Sequence, residues 1–99
     1  MEHLRNKKEV AELFDAILSL QTQEECYAFF EDACTVKEIL DIAQRLRAAK
    51  MLSRGENYVE VGRETGMSTA TISRVNKCLS YGDGGYKLVL DRLEKKGEK

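Results

Sequence analysis

Four times in 99 residues an asparagine or threonine stands three positions ahead of a glutamate: Asn6 with Glu9, Thr22 with Glu25, Thr35 with Glu38, and Asn57 with Glu60. A short polar side chain at a helix start accepts a bond from an amide one turn in, and the carboxylate three residues on can return one. Each pair therefore marks a helix beginning. The chain contains no proline, and strict apolar/polar alternation is scarce, so the expected fold is all-α. A chain of this length is expected to form one domain with a real but modest core.

Periodicity places six helices. The first, residues 7–20, carries Val10, Leu13, Phe14, Ile17 and Leu18 as the stripe of an amphipathic helix, expected to be buried. The second, residues 23–33, is short, yet Cys26, Tyr27, Phe29, Phe30 and Ala33 spread over about 160° of its surface at 100° per residue. An arc so wide asks for cover from two sides, which a homodimer would supply. The third, residues 36–54, has Ile39, Ile42, Ala43, Leu46, Ala49 and Leu52 on its apolar side and Arg45, Arg47, Lys50 and Arg54 on a basic side. Gly55 is its natural stop.

Residues 58–79, YVEVGRETGMSTATISRVNKCL, read as two short helices about a turn at Gly66, Met67 and Ser68. Val61 packs from the first helix, Ile72 and Val75 form a ridge on the second, Gly66 supplies the turn conformation, and Gly62 is expected to let the second helix come close. That is a helix-turn-helix. The outer face of its second helix then presents Thr69, Ala70, Ser73, Arg74 and Lys77, short and basic side chains suited to base edges and phosphates in a major groove. With Ser68 and Thr71 added from the turn and first helical turn, these seven are the expected DNA contacts, with the basic third helix expected to hold phosphates. Tyr81 to Tyr86 enclose three glycines and read as a mobile elbow, with both tyrosines expected to anchor the final helix, residues 86–96. That helix is expected to bury Leu90, Leu93 and either Leu88 or Val89, ahead of a charged tail.

The net charge of −1 conceals a division. Residues 1–43 carry four basic and ten acidic side chains, whereas residues 44–77 carry seven and three. Positive charge thus gathers where the helix-turn-helix lies, as a nucleic-acid partner requires. The three cysteines, Cys26, Cys34 and Cys78, form no CxxC pair and are expected to be reduced and partly buried. The single histidine, His3, leaves no set of metal ligands. No apolar run reaches membrane-spanning length and no signal peptide precedes the charged start, so the expected location is the cytoplasm. Nothing resembles a nucleophile with its base, a phosphate loop or an acidic metal cluster, so no enzymatic activity is expected.

The segments TVKEILDIAQRLRAAKMLSRGE and GMSTATISRVNKCL, residues 35–56 and 66–79, resemble the Trp repressor family, and within it the YerC/YecD branch of small bacterial Trp-repressor-like proteins. The resemblance implies a six-helix, intertwined homodimer with residues 1–54 contributing dimerisation helices. It implies a transcriptional regulator, a repressor, acting on a palindromic DNA operator. It also implies an effector pocket, onto which Thr35, Arg45, Thr71, Arg74, Val75 and Cys78 align, with Thr35 coming from the partner subunit. Four of these keep the family's polar character. Val75 stands where the family has a glycine against its tryptophan ligand and Cys78 where it has a serine, so tryptophan is not expected to fit, and a different small effector is the implied alternative. A second reading of the residues is a helical protein-protein interaction module, docking through the acidic N-terminal half.

Overall fold

The computed structural model describes residues 2–97, which form seven helices and, among the described residues, no strand. Two compact units emerge, one ending at Ile39 and the other beginning at Leu40. The six expected helices are present, and a single-turn helix precedes them.

The first unit holds α1 (Glu2–Arg5), α2 (Lys8–Leu18) and α3 (Gln23–Ala33). Its first cap is not the expected one. The chain leaves α1 through a main-chain turn, Lys7 N–H donating to the Leu4 carbonyl at 3.2 Å, so the cap position of α2 falls on Lys7 and Asn6 plays no part. At α3, Thr22 Oγ1 accepts from the Glu25 amide at 3.1 Å, while the Glu25 carboxylate reaches back to the Gln21 amide at 2.8 Å. Neither helix buries a side chain. The α2 stripe leaves Phe14 55% and Leu18 81% exposed, and Tyr27 on α3 is 63% exposed. Phe29 and Phe30 are half-buried, their rings edge to face at 5.2 Å. The expected burial of the α2 stripe therefore fails within one chain, where only Val10 and Ile17 are half-buried, because two 11-residue helices cannot enclose a face this wide; the α3 arc, expected to be covered by a second copy, stands open in the single chain.

Helix α4 (Val36–Ser53) opens on a complete capping box: Thr35 N–H donates to Glu38 Oε1 at 2.8 Å and Glu38 N–H to Thr35 Oγ1 at 3.1 Å. It closes at Gly55, whose φ of +87° lets the Gly55 amide reach the Leu52 carbonyl and the Glu56 amide reach that of Met51. These paired bonds make the Schellman closure expected of a glycine just past a helix.

The second unit contains the core. Ala48, Ala49 and Met51 of α4 meet Val61 of α5 (Tyr58–Thr65) and Ile72 and Val75 of α6 (Thr69–Tyr81). Leu52, Tyr58, Met67 and Leu79 pack around them, as do Tyr86 and Leu90 of α7 (Gly85–Gly97). Ala48 and Met51 were not on the expected stripe of α4, whereas Ile42 and Ala43 were and are exposed. On α7 only Tyr86 and Leu90 are partly covered. Leu88, Val89 and Leu93 are 43–51% exposed, and Tyr81 at 85% is no anchor.

The turn between α5 and α6 separates two glycines that look alike in sequence. Gly66 closes α5 in the left-handed region, φ +73°, a conformation that costs a residue with a Cβ about 1–2 kcal/mol. At Gly62 an added Cβ would stand 3.7 Å from both Ile72 Cδ1 and the Met67 carbonyl, an ordinary contact, so the close approach does not require glycine there. Gly66→Ala is therefore expected to destabilise, and Gly62→Ala to be neutral or to stabilise by up to about 1 kcal/mol through helix propensity. Urea unfolding of the two variants should move the midpoint in opposite directions or move only the first. A larger loss at Gly62 than at Gly66 would contradict this geometry.

Candidate nucleic-acid interface

Local chemistry builds this site before any partner is considered. Asn57 Oδ1 caps α5 by accepting from the Glu60 amide at 2.9 Å, while the Glu60 carboxylate pairs with Arg63 at 2.7 Å. Ser68, in extended conformation, caps α6: its Oγ accepts from the Thr71 amide at 3.2 Å and lies 3.0 Å from the Thr71 hydroxyl. Like the start of α7, this one lacks the glutamate that marks a capping box in sequence. Val61, Ile72 and Val75 are at most 1% exposed, which fixes which face of α6 turns inward.

Thr69, Ala70, Ser73, Arg74 and Lys77 are exposed on α6, as the spacing predicts. The first turn of α6 holds no acidic residue, so the positive end of its helix dipole is unopposed. Arg74 and Lys77 take no part in the ion pairs of Arg47 with Glu64 and Arg63 with Glu60, and remain available to an anionic partner. Ser68 and Thr71 have a prior use in the cap, and Thr71 is half-buried.

The basic residues of α4 do not form one phosphate-facing strip. Arg47 reaches Glu64 of α5 at 3.5 Å, both side chains exposed, a pair of small energetic weight. Lys50 and Arg54 border a groove against Leu90, Leu93 and Glu94 of α7. Arg45 lines a separate cavity of about 440 Å³ with Thr71, Arg74, Val75, Cys78 and Tyr86. Five of the six residues aligned with the effector pocket thus meet around one space. The sixth, Thr35, belongs to the first unit, where it caps α4. Tyr86 is the addition sequence reasoning missed; an aromatic residue opening the helix after a glycine turn was the available signal. Val75 lines the cavity and also belongs to the core, so its side chain narrows the space from within. Cys78 and Cys26 are exposed rather than partly buried, and Cys34 is half-buried.

The family model for the Trp repressor protein matches residues 8–94 of this chain. The chain belongs to the Trp repressor family. This member of the family is 54% identical to the protein YerC of Bacillus subtilis over 87 residues, which span 88% of this chain and 84% of YerC. Its fold is similar to the crystal structure of a TrpR-like protein from Eubacterium eligens, with a TM-score of 0.88 at 50% identity, over 90% of this chain and 92% of that one. A structure from Staphylococcus aureus aligns with a TM-score of 0.86 at 49% identity, over 90% and 89%. The all-helical reading and the family reading are thereby borne out, and the fold is that of a helical DNA-binding regulator. Among the described residues no helix is long and apolar enough to cross a membrane.

Proposed function

We propose that this Trp repressor family member is a sequence-specific DNA-binding regulator of transcription, a cytoplasmic repressor acting as a homodimer on a palindromic operator. The observation that carries the proposal is the two-sidedness of α6: Ile72 and Val75 are fixed in the core while Thr69, Ala70, Ser73, Arg74 and Lys77 stand exposed opposite a turn of defined geometry. Such a helix enters a major groove with its reading face already oriented. Affinity for mixed-sequence duplex should fall steeply with rising salt, because basic side chains displace condensed counterions. Absence of salt-dependent duplex binding would end this reading.

The apolar faces of α2 and α3 favour self-association. Leu13, Phe14, Leu18 and Tyr27 are 42–81% exposed, apolar surface that a second copy would take out of water. A second copy covers them by two-fold symmetry and supplies the second reading helix that a palindrome needs. Light scattering should give twice the 11.3 kDa chain mass, and Phe14→Glu should shift the population toward monomer. A stable monomer that captures a different protein would instead support the docking-module reading, which the same exposed faces and the acidic N-terminal half also motivate.

The cavity at Arg45, Thr71, Arg74, Val75, Cys78 and Tyr86 suits a small effector carrying negative charge, with two guanidinium groups and no carboxylate in its lining. The Val75 side chain argues against tryptophan there. Titration calorimetry should show no heat with tryptophan, and a screen of small carboxylates identifies the effector if one exists; full duplex affinity with silence across that screen would indicate an effector-free repressor.

A further inference from the structure

Among the described residues the core contains one polar side chain, Thr65, 8% exposed at the last position of α5. Its Oγ1 donates to the Val61 carbonyl at 2.7 Å and accepts from the Met67 amide at 3.1 Å. The first bond is the ordinary return of a helical threonine to its own previous turn. The second passes over Gly66. It therefore ties the end of α5 to the residue immediately ahead of Ser68, the cap of α6.

Gly66 alone leaves this turn under-determined, since a glycine permits the left-handed conformation without enforcing it. The hydroxyl removes that freedom. Met67 is held at both ends, its amide by Thr65 and its side chain by packing against the core. A tilt of about 10° at the turn would move Lys77, roughly 12 Å along the helix, by about 2 Å. Base readout tolerates errors of only about 0.5 Å, so a small loss of definition here reaches the reading face enlarged.

We infer that Thr65 is a positioning residue for DNA reading: its hydroxyl, bonded on both sides of the turn, sets the direction in which α6 presents Thr69, Ser73 and Arg74 to base edges. The inference rests on the DNA-binding reading above and adds to it a residue that touches no DNA. It separates two contributions that simple destabilisation would not. Phosphate contacts made by basic side chains survive a small misdirection of the helix, whereas bidentate base contacts do not.

Thr65→Val keeps the buried volume and removes both bonds, Thr65→Ala removes them with no risk of overpacking, and Thr65→Ser restores the hydroxyl. Each is compared with wild type for affinity to a selected operator and to a scrambled duplex of equal length, at one salt concentration and well below the unfolding temperature. Thr65→Val and Thr65→Ala should keep scrambled-duplex affinity within about twofold, as phosphate contacts persist. Their operator affinity should fall about tenfold, the scale of one lost hydrogen bond, and Thr65→Ser should recover most of it. Amide exchange at Met67 should quicken in both hydroxyl-free variants and not in Thr65→Ser. Unchanged discrimination in Thr65→Val and Thr65→Ala, or an equal loss on both duplexes, would overturn the positioning role while leaving the DNA reading in place. A wild type with no preference between duplexes would overturn both, and that measurement comes first.

Discussion

Ile72→Ala is expected to lower unfolding stability by about 2–5 kcal/mol, the cost of deleting a buried isoleucine and leaving a cavity that its neighbours cannot fill. The total stability of a domain this size is about 5–15 kcal/mol, so a large share of it rests on one side chain. Ile72 is 1% exposed in a core that, among the described residues, has six buried apolar members, two of them alanines. Val61 and Val75 are the nearest equivalents in burial, and both are β-branched and stiff. The loss would be felt where α5 and α6 are joined, which makes it a test of the helix-turn-helix as a packed unit. Urea unfolding at fixed protein concentration measures it, since self-association would otherwise add a concentration term. A change below about 1 kcal/mol would mean that α6 is not locked through this residue.

Arg74→Ala should reduce affinity for the selected operator by about 1–3 kcal/mol, roughly ten- to a hundredfold, the worth of a bidentate contact to a base. Arg74 is exposed on α6 and takes no part in the Arg47–Glu64 or Arg63–Glu60 ion pair. Removing it therefore costs no internal ion pair, and the folded chain should be as stable as wild type. Arg74→Lys should rescue poorly, because an ammonium group cannot reproduce the planar fork of a guanidinium. Lys77→Ala provides the contrast: deleting a phosphate-binding ammonium group weakens binding to every sequence alike and lowers the salt dependence. Equal losses from Arg74→Ala on operator and scrambled duplex would place Arg74 on the phosphate backbone instead. Because Arg74 also lines the cavity with Arg45 and Tyr86, an effector seated there would compete for or orient the same guanidinium.

How much of this was legible in sequence depends on how local each feature is. The caps at Thr22, Thr35 and Asn57, the stop at Gly55 and the turn at Gly66 all follow from chemistry within six residues, and all are realised. Asn6 is the exception, displaced by a main-chain turn out of a short helix that carried no capping pair. The buried face of α4 is less legible. Its apolar positions are numerous enough to offer more than one stripe, and the choice of Ala48 and Met51 over Ile42 and Ala43 is made by the helices packed on it. Tyr86 entered the cavity lining for the same reason, and Arg47 was withdrawn from the basic face by Glu64, seventeen residues away. Gly62 shows the converse error: glycine beside a packed helix suggested necessity, but the distances leave room for a methyl group. Thr65 was invisible because a threonine ending a helix is unremarked in sequence, and its two bonds exist only once the turn is formed.

Selection from a library of random-sequence duplexes, at one stated salt concentration, tests sequence-specific binding by the α6 face. The expected result is enrichment of a palindrome with two half-sites related by the symmetry of a dimer, and the collapse of that enrichment when Arg74→Ala is used in place of wild type. Recovery of all sequences in equal proportion, or an Arg74→Ala selection indistinguishable from wild type, would contradict it.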